Sequence, residues 1–143
     1  MRAIWSLFIV MSLMAGSVMA QEEIQIYGFI EKAALADKNF ILSAKLDTGA
    51  KSASLNASHI TEIKVNDEPY LRFTVSTKNG DEVFEGKYMG KVKIKVRANE
   101  VVGALKIEPM RRPVVLLNIQ LGDKIRPIKV NLTNRKRFLY PLL

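Results

Sequence analysis

Alternation of apolar and polar residues dominates the chain after its first twenty residues and predicts an all-β fold. It is strictest over residues 90–97, where Val92, Ile94 and Val96 share one face and basic residues occupy the other. A period of two residues is that of a half-buried strand and does not fit an amphipathic helix. The basic residues are then the solvent face of a strand and require no partner.

Apolar runs bounded by turn-forming residues predict the remaining strands. Residues 60–65 and 70–75 flank the Asn-Asp-Glu-Pro cluster at 66–69 and predict a hairpin, and Lys-Asn-Gly-Asp at 78–81 is the strongest turn signal. Only Glu31 to Asp37 has helical propensity, and its place between strands favours an extended form as an alternative. Further strands are predicted at 23–30, 40–46, 82–88, 113–119 and 125–132.

Seven or eight short strands with hairpin connections fit one small domain. Closing such a sheet on itself removes the exposed strand edges that promote aggregation. The pattern therefore predicts a closed or nearly closed β-barrel.

The first twenty residues have the pattern of a secretory signal peptide. Arg2 precedes an apolar stretch from Ala3 to Met14, and small residues precede a cleavage site after Ala20. The alternative is an uncleaved membrane anchor, the one case in which we expect membrane association. Cleavage leaves a single domain at 21–143. Because the chain has no cysteine, we expect a periplasmic or secreted bacterial protein.

The chain is basic, with a formal charge of +8 that becomes +7 when Arg2 leaves with the signal peptide. Such a positive net charge can favour binding to nucleic acid, anionic lipid or an acidic wall polymer. The basic residues of 91–97 have no aromatic residue between them of the kind that stacks on single-stranded nucleic acid. With the export signal, this predicts a solvated basic face and no nucleic-acid partner.

Asp47-Thr48-Gly49, which follows the apolar run 40–46, is the main candidate for chemistry. An acid protease places two carboxylates around one water, and the pair shares one proton because both cannot ionise so close together. One aspartate activates the water and the other protonates the substrate carbonyl. Gly49 permits a tight turn, and the Thr48 hydroxyl can bond to a partner loop. The alternative is that Asp47 caps its own β-turn.

The chain holds one Asp-Thr-Gly and is too short for a second lobe. An acid protease of this size must therefore form a homodimer in which each subunit supplies one aspartate.

Metal and cofactor chemistry have little support. His59 is the only histidine and there is no cysteine, so one chain cannot assemble a zinc site of a common type. We expect His59 at the surface or in a turn. Neither a P-loop motif nor a Gly-x-Ser-x-Gly elbow is present. We therefore expect no metal and no cofactor.

Two ordered blocks resemble a known family. Residues 44–57 (Ala-Lys-Leu-Asp-Thr-Gly-Ala-Lys-Ser-Ala-Ser-Leu-Asn-Ala) resemble the signature of a bacterial group of retropepsin-like aspartic peptidases that is commonly labelled "ATP-dependent zinc protease". The label does not fit this chain, which has no ATP motif and too few zinc ligands. The second block comprises residues 112–115 (Arg-Pro-Val-Val), Leu121-Gly122, residues 130–135 (Val-Asn-Leu-Thr-Asn-Arg) and residues 140–143 (Tyr-Pro-Leu-Leu).

The resemblance implies a small closed acid-protease barrel over residues 21–143, with Asp47 in the catalytic position and Thr48 and Gly49 completing the active-site loop. Residues 140–143 match an element that braces this loop in retropepsins. In the family that element continues into Gly-Arg, whereas Leu143 is the last residue here.

Two functions follow as hypotheses. The first is an aspartic endopeptidase of the cell envelope that acts on a peptide or protein substrate as a homodimer, with an acidic pH optimum and no activity after Asp47→Asn. The second is a catalytically inactive retropepsin-fold binding module for a peptide or a cell-envelope component.

Overall fold

The computed structural model describes residues 24–78, 80–94, 110–134 and 139–143. The predicted signal peptide at 1–20 and the basic residues Lys95, Arg97 and 135–137 lie outside these ranges. The described chain is all-β, as predicted, and its one 3-10 turn spans Ala36–Lys38. Within these ranges, no helix has the length and apolar character to cross a membrane. The strands are β1 (Ile30–Leu35), β2 (Phe40–Lys45), β3 (Ala53–Asn56), β4 (Ser58–Val65), β5 (Glu68–Thr77), β6 (Gly80–Ile94), β7 (Met110–Leu121) and β8 (Lys124–Thr133).

One sheet contains all eight strands. Its main path runs in the order β2-β1-β7-β6-β5-β4, and β8 joins it beside β7. Every pairing is antiparallel except that of β3 with β8, where Ala53–Asn56 lie parallel to Val130–Thr133. This parallel pair brings the segment after the Asp47 loop against the C-terminal part of the chain.

The sheet curls around its apolar side. The rings of Phe40 in β2 and Phe84 in β6 have centroids 5.5 Å apart. β1 and β7 lie between these strands in the sheet. Three steps across a flat sheet would separate them by about 14 Å, so the sheet must bend back on itself. The enclosed core includes Phe73, Val115 and Leu132.

The predicted closed barrel is not formed by the strand ladders. In the described ranges β2 and β4 end the main path of the sheet. β2 reaches β3 only through Leu142, which makes one isolated bridge to Ala44 and one to Leu55. The two strands diverge around the loop at 46–52, so only a short segment fits between them. The all-β fold is thus as predicted, and the described ladders do not show closure of the sheet.

The N-terminal elements also differ from the prediction. Residues 24–29 join no ladder, and the first strand is Ile30–Leu35. Most of the segment with helical propensity, Glu31 to Asp37, is thus extended. Residues Ile30–Leu35 pair along their whole length with β2, and residues 33–35 also pair with β7. The hydrogen bonds and packing gained by pairing on both sides outweigh the preference of this segment for a helix, which is only a few tenths of a kcal/mol per residue.

The predicted hairpins β4–β5 and β7–β8 are present. β5 also pairs with β6 on either side of the predicted turn at 78–81, of which Asn79 lies outside the described residues. Asn66 and Asp67 form the two-residue turn between β4 and β5, with φ of 50° and 64°. Positive φ at both residues gives the turn a twist that matches that of the strands it joins. The strand predicted at 82–88 and the described part of the strand predicted at 90–97 form one strand, β6, whose register with β7 shifts between Tyr88 and Lys91.

The described part of the basic alternation has the predicted exposure. Lys91 and Lys93 are exposed, whereas Val92 and Ile94 are half-buried. Nearby in β6, the Lys87 ammonium lies 2.7 Å from a Glu68 carboxylate oxygen. The hydrogen bond and the charge of Glu68 raise the pKa of Lys87 above its usual value. These contacts fit a solvated face.

Gly86 lets β6 lie close to β7 and provides a test of core packing. A Cβ at this position would lie 2.9 Å from Val115 Cβ and 3.0 Å from Leu117 Cδ2. We expect Gly86→Ala to lower the free energy of unfolding by about 1–3 kcal/mol, because an added methyl group overpacks the core. Urea denaturation measures this change. The exposed substitution Lys91→Ala should stay within about 0.5 kcal/mol of wild type, and an equal effect of both would contradict the packing argument.

Candidate active-site loop

The chain enters the Asp47 loop from β2, and two backbone hydrogen bonds hold this side. The Lys45 N–H donates to Leu142 O at 3.0 Å, and the Leu46 N–H donates to Phe29 O at 2.9 Å. The Lys45 ammonium also lies 5.0 Å from the centroid of the Phe29 ring, a cation–π distance. The N-terminal side of the loop is therefore fixed by residues from both ends of the described chain.

The chain leaves the loop through β3, and the C-terminal segment holds this side as well. Ser54 and Leu143 exchange two backbone N–H···O bonds of 2.9 Å, and the Asn56 N–H donates to Pro141 O at 2.7 Å. The Leu142 side chain is 6 % exposed and belongs to the core. The apolar part of the predicted brace is therefore formed by this chain, between the two sides of the loop.

Asp47 orders the loop that it belongs to. Its Oδ1 accepts a 2.9 Å hydrogen bond from the Gly49 N–H, and its carbonyl oxygen accepts one of 3.1 Å from the Ala50 N–H. A Cβ on Gly49 would lie 3.3 Å from Oδ1, so glycine gives this N–H close access to the carboxylate. Asp47 thus caps its own turn, as in the structural alternative. The same bond orients the carboxylate, so capping and a chemical role are compatible.

The rest of the loop faces solvent. Residues 47–52 are all exposed. Among the described residues, Asp47 takes part in no ion pair and the Thr48 hydroxyl has no hydrogen-bond partner. The two side chains are therefore available to a group outside this single chain.

A groove of about 530 Å³ lies beside the loop. Its lining includes Asp47, Thr48 and Ala50 of the loop, and apolar residues of β1, β2, β3, β7 and the C-terminal segment. Asp47 is the sole acidic residue of the described lining, which also contains Lys45, Lys51, Lys124 and Arg126. The described lining of the groove is thus mainly apolar, with four basic residues and one carboxylate among its charged side chains.

The described residues offer no group of three His, Cys, Asp or Glu side chains that could hold a metal. His59 is exposed in β4, as expected, with its Nδ1 3.1 Å from Ser58 Oγ.

Two polar residues near the loop were not predicted to have a role. Asn131 is buried behind the start of β3 and contacts Arg112 of β7. Both belong to the second block that resembles the family, and the sequence assigns neither a role in the site. The sequence carries no signal for Asn131, because the alternation of Val130, Asn131 and Leu132 predicts a solvent-facing amide, whereas the structure buries it.

An all-β domain with a single Asp-Thr-Gly loop, held by its own C-terminal segment, has the features of a single-lobed acid protease. Comparison with family models agrees with this class. The model described as RimB-like, "Retropepsin-like aspartic endopeptidase RimB", matches residues 26–143. The chain belongs to this RimB-like family of retropepsin-like proteins.

A solved structure from Legionella pneumophila subsp. pneumophila str. Philadelphia 1 is similar to this chain. It is the crystal structure of Lpg0085, described as a protein of unknown function (DUF785). The two share 65 % sequence identity, with a TM-score of 0.69, over 81 % of this chain and 79 % of Lpg0085. No curated protein matches the chain. Neither the family description nor this structure carries the zinc-protease label.

Proposed function

We propose that this protein is an aspartic endopeptidase whose active site is shared between the two subunits of a homodimer. The proposed substrate is a peptide or protein of the bacterial cell envelope, which the predicted signal peptide would let the enzyme reach. Asp47 is the proposed catalytic residue, with Thr48 and Gly49 completing the loop.

The proposal rests on the orientation and the exposure of the Asp47 carboxylate. One oxygen is oriented by the Gly49 N–H, and the loop is exposed beside a groove while both of its ends are fixed. A carboxylate that activates water must be oriented in advance and open to the reacting groups. The family membership supports the same role.

The charge of the groove supports a shared site. A protease of this class needs two carboxylates around one water, and the described groove lining has only Asp47. The second carboxylate would be Asp47 of another subunit, across a two-fold axis. The exposed Thr48 hydroxyl would bond to the partner loop.

A dimer that contains one altered subunit tests the shared site. Wild-type and Asp47→Asn subunits with different affinity tags are co-expressed, and the mixed dimer is isolated through both tags. Cleavage is followed by mass spectrometry on peptides from a bacterial envelope extract. We expect the mixed dimer to have less than about 1 % of wild-type activity, because one aspartate cannot perform both proton transfers.

The control is a mixed dimer of wild type with Asp123→Asn, which removes an exposed carboxylate of the β7–β8 loop. It should keep full activity. If the Asp47→Asn mixed dimer kept about half of the activity, each subunit would hold a complete site and the shared mechanism would be wrong. A protein that remains monomeric at high concentration would also contradict it. If wild type and Asp47→Asn bind the same peptides and neither cleaves them, the binding-module hypothesis holds.

A further inference from the structure

Asn131 is a buried polar residue behind the Asp47 loop. It lies in β8 opposite Ser54 of β3 and Val114 of β7, and only 2 % of its surface is exposed. Burying an amide is unfavourable unless its hydrogen bonds are satisfied. The partners of Asn131 therefore indicate what it does.

The side-chain amide connects β7 to the exit of the loop. Its Nδ2 donates to Ala53 O at 2.7 Å and lies 3.4 Å from Ser52 Oγ. Its Oδ1 accepts from Arg112 Nη1 at 3.4 Å. The chemistry of these neighbours fixes the orientation of the amide, because a carbonyl oxygen needs a donor and a guanidinium needs an acceptor.

The contact with Ala53 lies at the first residue of the backbone ladder, and the contact with Ser52 lies one residue before it. The parallel pairing of β3 with β8 starts at Ala53, and the C-terminal segment first bonds to β3 at Ser54. The hydrogen bond to Ala53 O and the contact with Ser52 thus fix the chain closer to Asp47 than the bonds of the C-terminal segment do. On the entry side, the backbone bonds of Lys45 and Leu46 already reach the loop.

We propose that Asn131, oriented by Arg112, is a positioning residue that fixes the exit of the Asp47 loop and thereby the direction of the Asp47 carboxylate. This rests on the proposed function for its catalytic consequence, but its effect on the loop does not depend on catalysis. The donor to Ala53 O is the essential group.

Two substitutions distinguish the loss of the Nδ2 hydrogen-bond donor from a change in the shape of the side chain. Asn131→Leu keeps the branched shape and the number of side-chain heavy atoms and removes all side-chain hydrogen bonding. Asn131→Asp keeps the acceptor for Arg112 and places an oxygen against Ala53 O. If the Nδ2 donor is essential, Asn131→Asp should disturb the loop as much as Asn131→Leu. The control is Thr133→Val, which replaces a hydroxyl by a methyl group at another buried polar position of β8, opposite Asn56.

Amide exchange measured by NMR on the folded protein tests the loop directly. We expect exchange at Gly49 and Ala50 to be about five- to tenfold faster in both Asn131 variants, the factor expected when one hydrogen bond is lost. Thr133→Val should leave both rates unchanged. The Asn39 amide, which bonds to Ala36 O in a distant turn, provides an internal reference. Unchanged Gly49 and Ala50 exchange in folded Asn131 variants would overturn the proposal.

Kinetics test the consequence for catalysis on a peptide that the wild type cleaves. We expect kcat of the folded Asn131 variants to fall by about 100-fold, the loss expected from a catalytic group misplaced by about 1 Å, with KM within about twofold of wild type. A lower melting temperature with unchanged kcat would show a merely structural role and overturn the proposal. If the wild type cleaves nothing, the proposed function fails, and the exchange rates alone decide whether Asn131 positions the loop.

Discussion

Asp47→Asn is expected to abolish proteolysis, lowering kcat by about 10⁴-fold, the upper end of what general acid–base catalysis contributes. In a homodimer this change removes both members of the proposed carboxylate pair. An amide cannot take a proton from water or donate one to the substrate carbonyl as a carboxyl group does. The measurement is the rate of peptide cleavage by purified Asp47→Asn homodimers between acidic and neutral pH.

The fold should tolerate this substitution. The Asn side-chain oxygen can still accept the 2.9 Å hydrogen bond from the Gly49 N–H, and the position is exposed. We expect the free energy of unfolding to change by less than about 0.5 kcal/mol. Asp123→Asn is the matched control for the loss of a negative charge. Cleavage by Asp47→Asn at the wild-type rate would remove Asp47 from the mechanism.

Leu142→Ala is expected to destabilise the protein by about 2–5 kcal/mol, the usual cost of truncating a buried leucine. Its side chain belongs to the core, and its backbone bridges β2 and β3 at the two ends of the Asp47 loop. The cavity left by the truncation weakens the bridge that Leu142 makes between these strands. Urea denaturation followed by circular dichroism gives the change in free energy.

Leu139→Ala is the matched control, because Leu139 is 83 % exposed and precedes the same segment. Its effect should stay within about 0.5 kcal/mol. We also expect Leu142→Ala to lower peptide cleavage at temperatures where it remains folded, since both sides of the loop lose a support. Equal stability of the two variants would show that the C-terminal segment does not hold the fold in solution.

The hairpins and the position of the loop were predictable because their determinants are local. Asn66 and Asp67 adopt positive φ more readily than most residues, and they stand between two alternating runs. Asp47-Thr48-Gly49 follows an apolar strand and forms a turn closed by its own atoms, with bonds from the Gly49 and Ala50 N–H groups to Asp47. Nearby residues are sufficient for such features.

Other features of the fold depend on segments that are distant in the sequence. Local propensity favours a helix at Glu31 to Asp37, but most of this segment is in β1 because it pairs with β2 and β7. β3 is a strand of only four residues that the sequence pattern does not predict, and it pairs in parallel with the distant β8. The barrel prediction assumed continuous ladders, whereas the chain spans the gap between β2 and β3 with Leu142.

The sequence by itself thus determined the all-β class, most strand positions, the family resemblance and the Asp-Thr-Gly turn. Tertiary structure alone decided that this turn is exposed beside a groove, that Leu142 braces both of its sides, and that Asn131 reaches Ser52 across 79 positions of the chain. The physical reason is that periodicity and turn conformation depend on neighbouring residues, whereas these contacts form only when a curled sheet brings remote segments together.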